Sequence, residues 1–150
     1  MAPTEELPGA VLFACSQNSI RSPMAAGILR HLMGHRIFVE SVGVRAGEVS
    51  GFASAVMEEI GIDISDHEPK SFDELVDTSF DIVISLSPEA HHTALELTRT
   101  NSLDAIYWPT FDPADATGSR EQILDAYRSV RDDLLKKIKQ RFVVAAAPNA

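Results

Sequence analysis

The sequence predicts an α/β fold with three layers, in which a four-stranded parallel sheet of strand order 2-1-3-4 carries helices on both faces. Short continuous apolar runs alternate with segments whose apolar residues recur every three or four positions. This alternation is typical of parallel sheets covered by helices. The 150 residues, 45% of them hydrophobic, suffice for one domain with its own core. We expect that domain to span 1–150, with its core at about 10–142.

The elements of the first half of the chain follow from apolar patterning and from residues that favour helix ends. Continuous apolar runs indicate strands buried on both faces, and apolar residues at three- and four-residue spacing indicate helices. Serine followed by proline suits a helix start. The predicted elements are a strand at 10–15 (AVLFAC), a helix from Ser22-Pro23 to Met33, a strand at 37–42, a glycine-rich loop at 43–51 and a helix at about 52–60.

The second half of the chain continues the alternation after a polar, mostly irregular segment. In the last helix the acidic residues come early and the basic residues late, which matches the helix dipole. The predicted elements are the irregular segment at 62–79 with a short helix near 71–76, a strand at 80–86 (FDIVISL), a helix opening at Ser87-Pro88, a strand at 103–108, a loop at 109–119, a helix at about 119–142 and a fraying tail.

Charge and cysteine content restrict the classes of partner and compartment. The net charge of −9 argues against nucleic acid or an anionic membrane as partner, because polyanions are repelled. One cysteine excludes an intrachain disulfide and favours a reducing compartment. The opening MAPTEELPGA has no basic region, and the apolar run after it is too short for a signal peptide or a membrane span. We therefore expect a cytoplasmic protein.

The stretch CSQNSIRSP, between the first strand and the first helix, places the only thiol six residues before an arginine. A helix N-terminus presents unpaired N–H groups that can hold an oxyanion, and the same donors stabilise a thiolate. Arg21 can bind two oxygens of that anion, and the Ser22 hydroxyl can donate to the thiolate. Asp112 follows the last strand, and ligands bind at the carboxyl ends of parallel strands. We therefore expect Cys15 and Asp112 at the same rim.

Several of these residues also have ordinary structural interpretations. A free cysteine at a strand end is commonly a small buried hydrophobe, and aspartate before proline commonly opens a turn. An exposed position is the default for a loop histidine such as His67. Neighbouring positions on a helix do not share a face, so we interpret His91 and His92 as surface residues rather than metal ligands.

The segment VLFACSQNSIRSPMAAGIL resembles the opening of the low-molecular-weight protein tyrosine phosphatases and of their relatives, the thioredoxin-type arsenate reductases. The signature of that family is a cysteine, five residues, an arginine and then Ser-Pro. The resemblance extends over residues 10–142 and includes SVGV at 41–44, GIDISDHEPKSF at 61–72, FDIVISLS at 80–87 and Asp112-Pro113. Several motifs in the same order are more specific than any one of them.

The resemblance implies a set of catalytic roles. Cys15 would be the nucleophile that forms a phosphocysteine intermediate. Arg21 would bind the phosphate oxygens and stabilise the transition state. Asp112 would protonate the leaving oxygen and then act as a base toward water. Neither a metal nor another cofactor is implied, because thiolate, helix dipole and guanidinium supply the electrostatics.

The resemblance also implies a phosphate-binding loop and residues that keep its shape. Side-chain hydrogen bonds would hold the loop, and its backbone N–H groups would line the anion site. The supporting residues are Ser22, Asn18, Ser41 and His67. The loop residues are Ser16, Gln17, Asn18, Ser19, Ile20, Arg21 and Ser22.

The chain differs from the family pattern around the expected pocket. Gln17 stands where the phosphatases usually have glycine, and we expect it to have an ordinary φ and to project at the pocket mouth. Ala114 and Asp115 occupy positions where many relatives carry aromatic residues, and we expect the acid to lie beside the entrance. The loop at 44–48 lacks the aromatic residues usual there, and Ser87 replaces an aspartate at a helix cap.

These observations lead to three functional hypotheses. The first is a cysteine-dependent phosphomonoesterase acting on a phosphorylated protein, such as a tyrosine-phosphorylated one, or on a small aryl phosphate. The alternative is an arsenate reductase, which here would need an external thiol or redoxin because the chain has no second cysteine. The third is a non-catalytic phosphate-binding module.

Overall fold

A computed structural model of the protein describes residues 7–75 and 79–143. The predicted α/β fold is confirmed: the four strands are parallel and lie in the order β2-β1-β3-β4. The strands are β1 (Ala10–Cys15), β2 (Phe38–Gly43), β3 (Ile82–Ser85) and β4 (Asp104–Tyr107). The α-helices are α1 (Arg21–Met33), α2 (Gly51–Glu58), α3 (Pro88–Leu97) and α4 (Arg120–Ile138).

The alternation of side chains along β1 divides the interior into two apolar clusters. Val11, Phe13 and Cys15 point into the larger cluster, which contains residues of α1, α2 and α4. Leu12 and Ala14 point into the smaller cluster, against α3. Successive side chains of a strand face opposite sides of the sheet, so the continuous apolar run at 10–15 reflects burial on both faces.

Element boundaries differ from the predicted ones by a few residues. Helix α1 begins at Arg21, one residue earlier than predicted, and β3 is shorter than the predicted strand at 80–86. The predicted loop at 109–119 contains one 3-10 turn at Pro113–Asp115. The short helix predicted near 71–76 is a 3-10 turn at Phe72–Glu74, and α4 continues into a π-helical turn at Lys139–Val143. The predicted fraying tail lies outside the described residues.

The topology brings the expected site residues to the end of the sheet at which all four parallel strands have their carboxyl termini. Cys15 is the last residue of β1, one of the two inner strands, and Asp112 lies in the loop that follows the outer strand β4. Parallel strands have their carboxyl ends on the same side of the sheet, so the loops after β1 and β4 lie on that same side. Within the described ranges, no helix has both the length and the apolar character needed to cross a membrane.

Candidate active site

The backbone of residues 16–20, called the anion loop here, is held with its carbonyl groups turned outward. Three consecutive carbonyls, beginning with that of Cys15, accept hydrogen bonds from the segment after β2. These bonds run from Val44 N to Cys15 O (3.1 Å), from Arg45 N to Ser16 O (2.9 Å) and from Gly47 N to Gln17 O (2.8 Å). The N–H groups from Gln17 to Arg21 donate to no residue in the described part of the chain. They are free to form the predicted nest for an oxyanion.

Glycine at the end of β2 allows the anion loop to lie this close. A Cβ atom on Gly43 would be 2.7 Å from both Asn18 N and Gln17 C. Backbone atoms cannot give way as a flexible side chain can, so any larger residue here would displace the loop. Gly43 lies within the SVGV segment that carries part of the family resemblance.

Asn18 is the centre of the hydrogen-bond network under the loop. Its side chain is fully buried and its φ is 54°, a conformation that asparagine adopts more readily than most residues. Its Nδ2 donates to Ser22 Oγ and Ser41 Oγ, both at 2.9 Å. Its Oδ1 accepts from the backbone N of Lys70 at 2.9 Å, and His67 Nε2 lies 2.7 Å from its carbonyl oxygen. The predicted supporting residues therefore form one hydrogen-bond network around Asn18. Lys70, which the sequence analysis did not identify, belongs to the same network.

Ser22 lies directly beside the thiol. Its Oγ is 2.9 Å from Cys15 Sγ and 3.3 Å from the carbonyl oxygen of Val42. The hydroxyl has a single proton, and the amide of Asn18 already donates to the oxygen. When Cys15 is a thiolate, its negative charge at 2.9 Å makes Sγ a stronger acceptor of that proton than the neutral Val42 carbonyl at 3.3 Å. The arrangement lets Ser22 stabilise a negative charge on the Cys15 sulfur. Cys15 is only 2% exposed.

Arg21 is the first residue of α1, and its guanidinium is fixed from two sides. One Nη donates to the carbonyl oxygen of Thr110 at 3.0 Å, and the other lies 3.6 Å from Asp112 Oδ2. Residues in the loop after β4 thus orient the arginine, which is 8% exposed. Thr110 contributes through a carbonyl group, so no side-chain signal in the sequence identified it.

The two carboxylate oxygens of Asp112 have different contacts: one caps a turn and the other faces the pocket. Its Oδ1 accepts from Ala114 N at 3.0 Å and caps the 3-10 turn, as the turn interpretation predicts. Its Oδ2 faces Arg21. Tyr127 of α4 packs behind this region: burial raises the pKa of the Tyr127 phenol, and the negative charge of Asp112 raises it further. The Asp112 carboxylate is thus held at the pocket by Ala114 and Arg21, while its side chain remains 36% exposed to solvent.

The pocket onto which Cys15 opens is small, and most of its lining residues have polar or charged side chains. Its volume is about 140 Å³, less than half of the roughly 300 Å³ at the low end of ligand pockets. None of the described lining residues is aromatic. They are Cys15, Gln17, Ser19, Ile20, Arg21, Glu48, Ser50, Asp112 and Ala114.

Two expectations about the pocket mouth have different outcomes. Gln17 lines the pocket and is not among the described residues with positive φ, so its predicted conformation and position are confirmed. The acid at the entrance is Glu48 rather than Asp115, because the 3-10 turn leaves Asp115 exposed outside the lining. Glu48 lies two residues before α2, where the sequence offered no motif.

The electrostatics beneath the loop favour a neutral His67. Burial lowers the pKa of its imidazole, and the positive charges of Arg30 and Lys70 lower it further. The Asn18 carbonyl and Glu40 oppose that shift. A neutral ring next to a carbonyl oxygen must carry its proton on the nearer nitrogen, so Nε2 donates to Asn18.

The two adjacent histidines differ in exposure, and the surface prediction is wrong for one of them. The ring of His91 stacks on Tyr107, with centroids 4.8 Å apart, and its Nδ1 is buried without a hydrogen-bond partner in the described structure. His92 is exposed as predicted. No group of three or more His, Cys, Asp or Glu side chains among the described residues is arranged to hold a metal ion.

The sequence and the fold are similar to those of known arsenate reductases and phosphatases. The arsenate reductase of Halalkalibacterium halodurans is 35% identical over 129 residues, which is 86% of this chain and 91% of that protein. An arsenate reductase solved in the phosphate-binding state has a TM-score of 0.71 at 29% identity, covering 91% of this chain and 98% of the other. A low-molecular-weight protein tyrosine phosphatase from T. tengcongensis has a TM-score of 0.73 at 27% identity, covering 87% and 95%. Residues 10–143 match the family model described as low molecular weight phosphotyrosine protein phosphatase, and the chain belongs to that family.

Proposed function

We propose that this protein is an arsenate reductase in which Cys15 attacks arsenate and an external thiol supplies the electrons. The observation that carries the proposal is the small pocket around the only cysteine. It has a nest of free N–H groups and a fixed arginine for a tetrahedral oxyanion. It has no aromatic lining, among the described residues, on which the ring of a phosphotyrosine would stack. The occupant that fits best is a free oxyanion rather than an aryl ester.

The first chemical step joins the thiol to arsenic. The Cys15 thiolate attacks arsenic(V), and one As–O bond breaks. Asp112 donates the proton with which that oxygen leaves as water. The N–H nest and Arg21 stabilise the negative charge on the remaining oxygens, while the Ser22 hydroxyl holds the thiolate before attack.

The second stage reduces arsenic and regenerates the enzyme. An external thiol forms an S–S bond with Cys15 as the S–As bond breaks, and the electron pair of that bond stays on arsenic, which leaves as arsenite. A second thiol then cleaves the mixed disulfide. In total, one arsenate and two thiols give one arsenite, one disulfide and one water. The external thiol is required because the chain has no second cysteine.

Relatives support this choice over the phosphatase hypothesis that the motifs first suggested. The protein of Halalkalibacterium halodurans, at 35% identity, is named an arsenate reductase. Glu48 at the pocket mouth also disfavours acidic phosphopeptides, because like charges repel.

A second candidate is the hydrolysis of a small phosphomonoester at the same site. The single cysteine favours it, since phosphocysteine hydrolysis needs no further thiol. The Asp112 carboxylate, near Arg21, is placed to protonate a leaving alkoxide and then to activate water.

Parallel assays separate the candidates. Arsenite production from arsenate with dithiothreitol, and release of p-nitrophenol from its phosphate, are measured on the same preparation. Our proposal predicts a higher kcat/KM for arsenate, strict dependence on thiol, and loss of both activities in Cys15→Ser. Aryl phosphate turnover exceeding arsenate reduction would reverse the ranking. Binding of phosphate or arsenate without any turnover would indicate a non-catalytic module.

A further inference from the structure

One wall of the catalytic pocket is a side chain that packs on a glycine. Gln17 lines the pocket together with Glu48 and Ser50 of the segment before α2. A Cβ atom on Gly47 would lie 2.6 Å from Gln17 Oε1 and 2.9 Å from Gln17 Cβ. The Gln17 side chain therefore occupies the space that a side chain at position 47 would fill.

Backbone contacts fix the two segments that meet at this wall. Gly47 N donates to Gln17 O at 2.8 Å, as one of the three bonds that join the anion loop to the segment after β2. At the other end of that segment, Ser50 caps α2 by accepting from Ala53 N. The side chain of Gln17 is thus placed by ordered backbone on both sides, although it remains exposed to solvent.

Exposure separates the mouth of the pocket from its floor. Among the described lining residues, only Gln17, Glu48 and Ala114 are exposed, whereas Cys15 and Arg21 are buried. Ala114 has no side-chain atom beyond Cβ. The two long side chains at the mouth are therefore those of Gln17 and Glu48, and they limit the part of a ligand that extends outward from the anion loop.

The direction of the reaction gives the mouth a role in substrate choice. Displacement at a tetrahedral phosphorus or arsenic centre places the leaving oxygen roughly opposite the attacking atom. Because Cys15 lies at the floor of the pocket, the leaving group points to the mouth. From arsenate that group departs as water. An ester instead carries an organic group there, and that group meets Gln17.

We propose that Gln17 is a specificity-determining residue, whose side-chain bulk excludes the organic group of an ester and leaves the site to free tetrahedral oxyanions. The inference rests on the proposed reductase function, in which the leaving group is water. Specificity of this kind comes from a clash with the wrong ligand rather than from a new contact with the right one. Glu48 does not supply it, because arsenate and an aryl phosphate are both anions, which a carboxylate repels alike.

The test measures binding without turnover, by protection of Cys15 from alkylation. Cys15 is the only cysteine, so the rate of its reaction with iodoacetamide reports occupancy of the pocket. Inorganic phosphate and phenylphosphonate are the two probes, because both have a tetrahedral anionic head and only one carries a ring. Gln17→Ala removes the side chain beyond Cβ, the matched control Gln17→Met keeps its length without the amide, and Glu48→Gln removes the charge at the mouth.

We expect Gln17→Ala to strengthen protection by phenylphosphonate relative to phosphate roughly tenfold, the lower end of the scale for admitting one group into a pocket. Gln17→Met should keep the wild-type ratio of the two protection constants. Glu48→Gln should change protection by both probes in the same direction. In turnover assays, the ratio of kcat/KM for p-nitrophenyl phosphate to that for arsenate should rise in Gln17→Ala and not in Gln17→Met.

The proposal is overturned if Gln17→Ala keeps the wild-type ratio of protection constants. It is equally overturned if Gln17→Met or Glu48→Gln shifts that ratio as much as Gln17→Ala does. Absence of arsenate reduction in the wild type and in every variant, with the protection ratios as expected, would instead refute the proposed reductase function and would support the exclusion of organic groups by Gln17.

Discussion

The substitution Asn18→Asp tests whether the network under the anion loop controls the thiol. Aspartate also tolerates positive φ, and a carboxylate oxygen can still accept from Lys70 N, as Oδ1 does now at 2.9 Å. The change removes the amide that donates to Ser22. The Ser22 hydroxyl would then donate to the new carboxylate and turn away from Cys15.

The expected magnitude follows from the bond that is lost. A hydrogen bond to a charged group contributes about 1.5–3 kcal/mol, and each 1.4 kcal/mol corresponds to a factor of about ten. Turning Ser22 away from Sγ, now 2.9 Å distant, should therefore weaken the stabilisation of a negative charge on that sulfur by a factor of roughly ten to a hundred. The added negative charge acts in the same direction, because it disfavours a nearby anion.

Alkylation of the thiol by iodoacetamide at pH 7 measures this effect directly, since Cys15 is the only cysteine. The rate constant for Asn18→Asp should fall at least tenfold. Ser41→Ala is the matched control: it removes the other acceptor of the Asn18 amide and should change the rate by less than about threefold. A folded Asn18→Asp variant that reacts at the wild-type rate would refute the reasoning.

Three further perturbations probe the site and its scaffold. Arg21→Lys removes the planar guanidinium beside Asp112 and should lower kcat/KM for arsenate roughly a hundredfold or more, as loss of a transition-state donor does. Burial lowers the pKa of His67 below 6.5, so the unfolded chain binds more protons than the folded one as pH falls below 6.5. The free energy of unfolding should therefore fall below pH 6.5. Urea denaturation should show a lower midpoint at pH 5.5 than at pH 7.5, and this difference should be smaller in His67→Gln. Hydrogen bonds, chiefly from Arg128, lower the pKa of Glu59 to about 2, so its stabilisation is present above pH 4.5 and lost as pH falls toward 2. Glu59→Gln should reduce the slope of acid unfolding, followed by circular dichroism, in that window.

The positions of Cys15, Arg21 and Asp112 could be predicted because they depend on topology. A buried strand followed by a helix start placed Cys15 and Arg21 together, and parallel strands brought Asp112 to the same edge. Sequence order and strand direction are enough for that inference. The side-chain network of Asn18 and His67 was implied by family resemblance, and its geometry could not be obtained from spacing.

Contacts made by the backbone, and the course of irregular loops, could not be predicted. Lys70 holds Asn18 through its N–H group, and Thr110 holds Arg21 through its carbonyl, so neither depends on a recognisable side chain. The turn after Asp112 leaves Asp115 outside the pocket lining, while the loop before α2 brings Glu48 into it. Tertiary packing decides such placements, and local sequence carries little information about them.

The most direct test of the central claim is intact-protein mass spectrometry after single turnover with limiting glutathione. If Cys15 carries arsenic and then passes through a mixed disulfide, a glutathione adduct should form on the wild-type protein in the presence of arsenate. The adduct should be absent with phosphate in place of arsenate and absent in Cys15→Ser. Glutathionylation that is the same with and without arsenate, together with thiol-independent hydrolysis of aryl phosphate, would contradict the account.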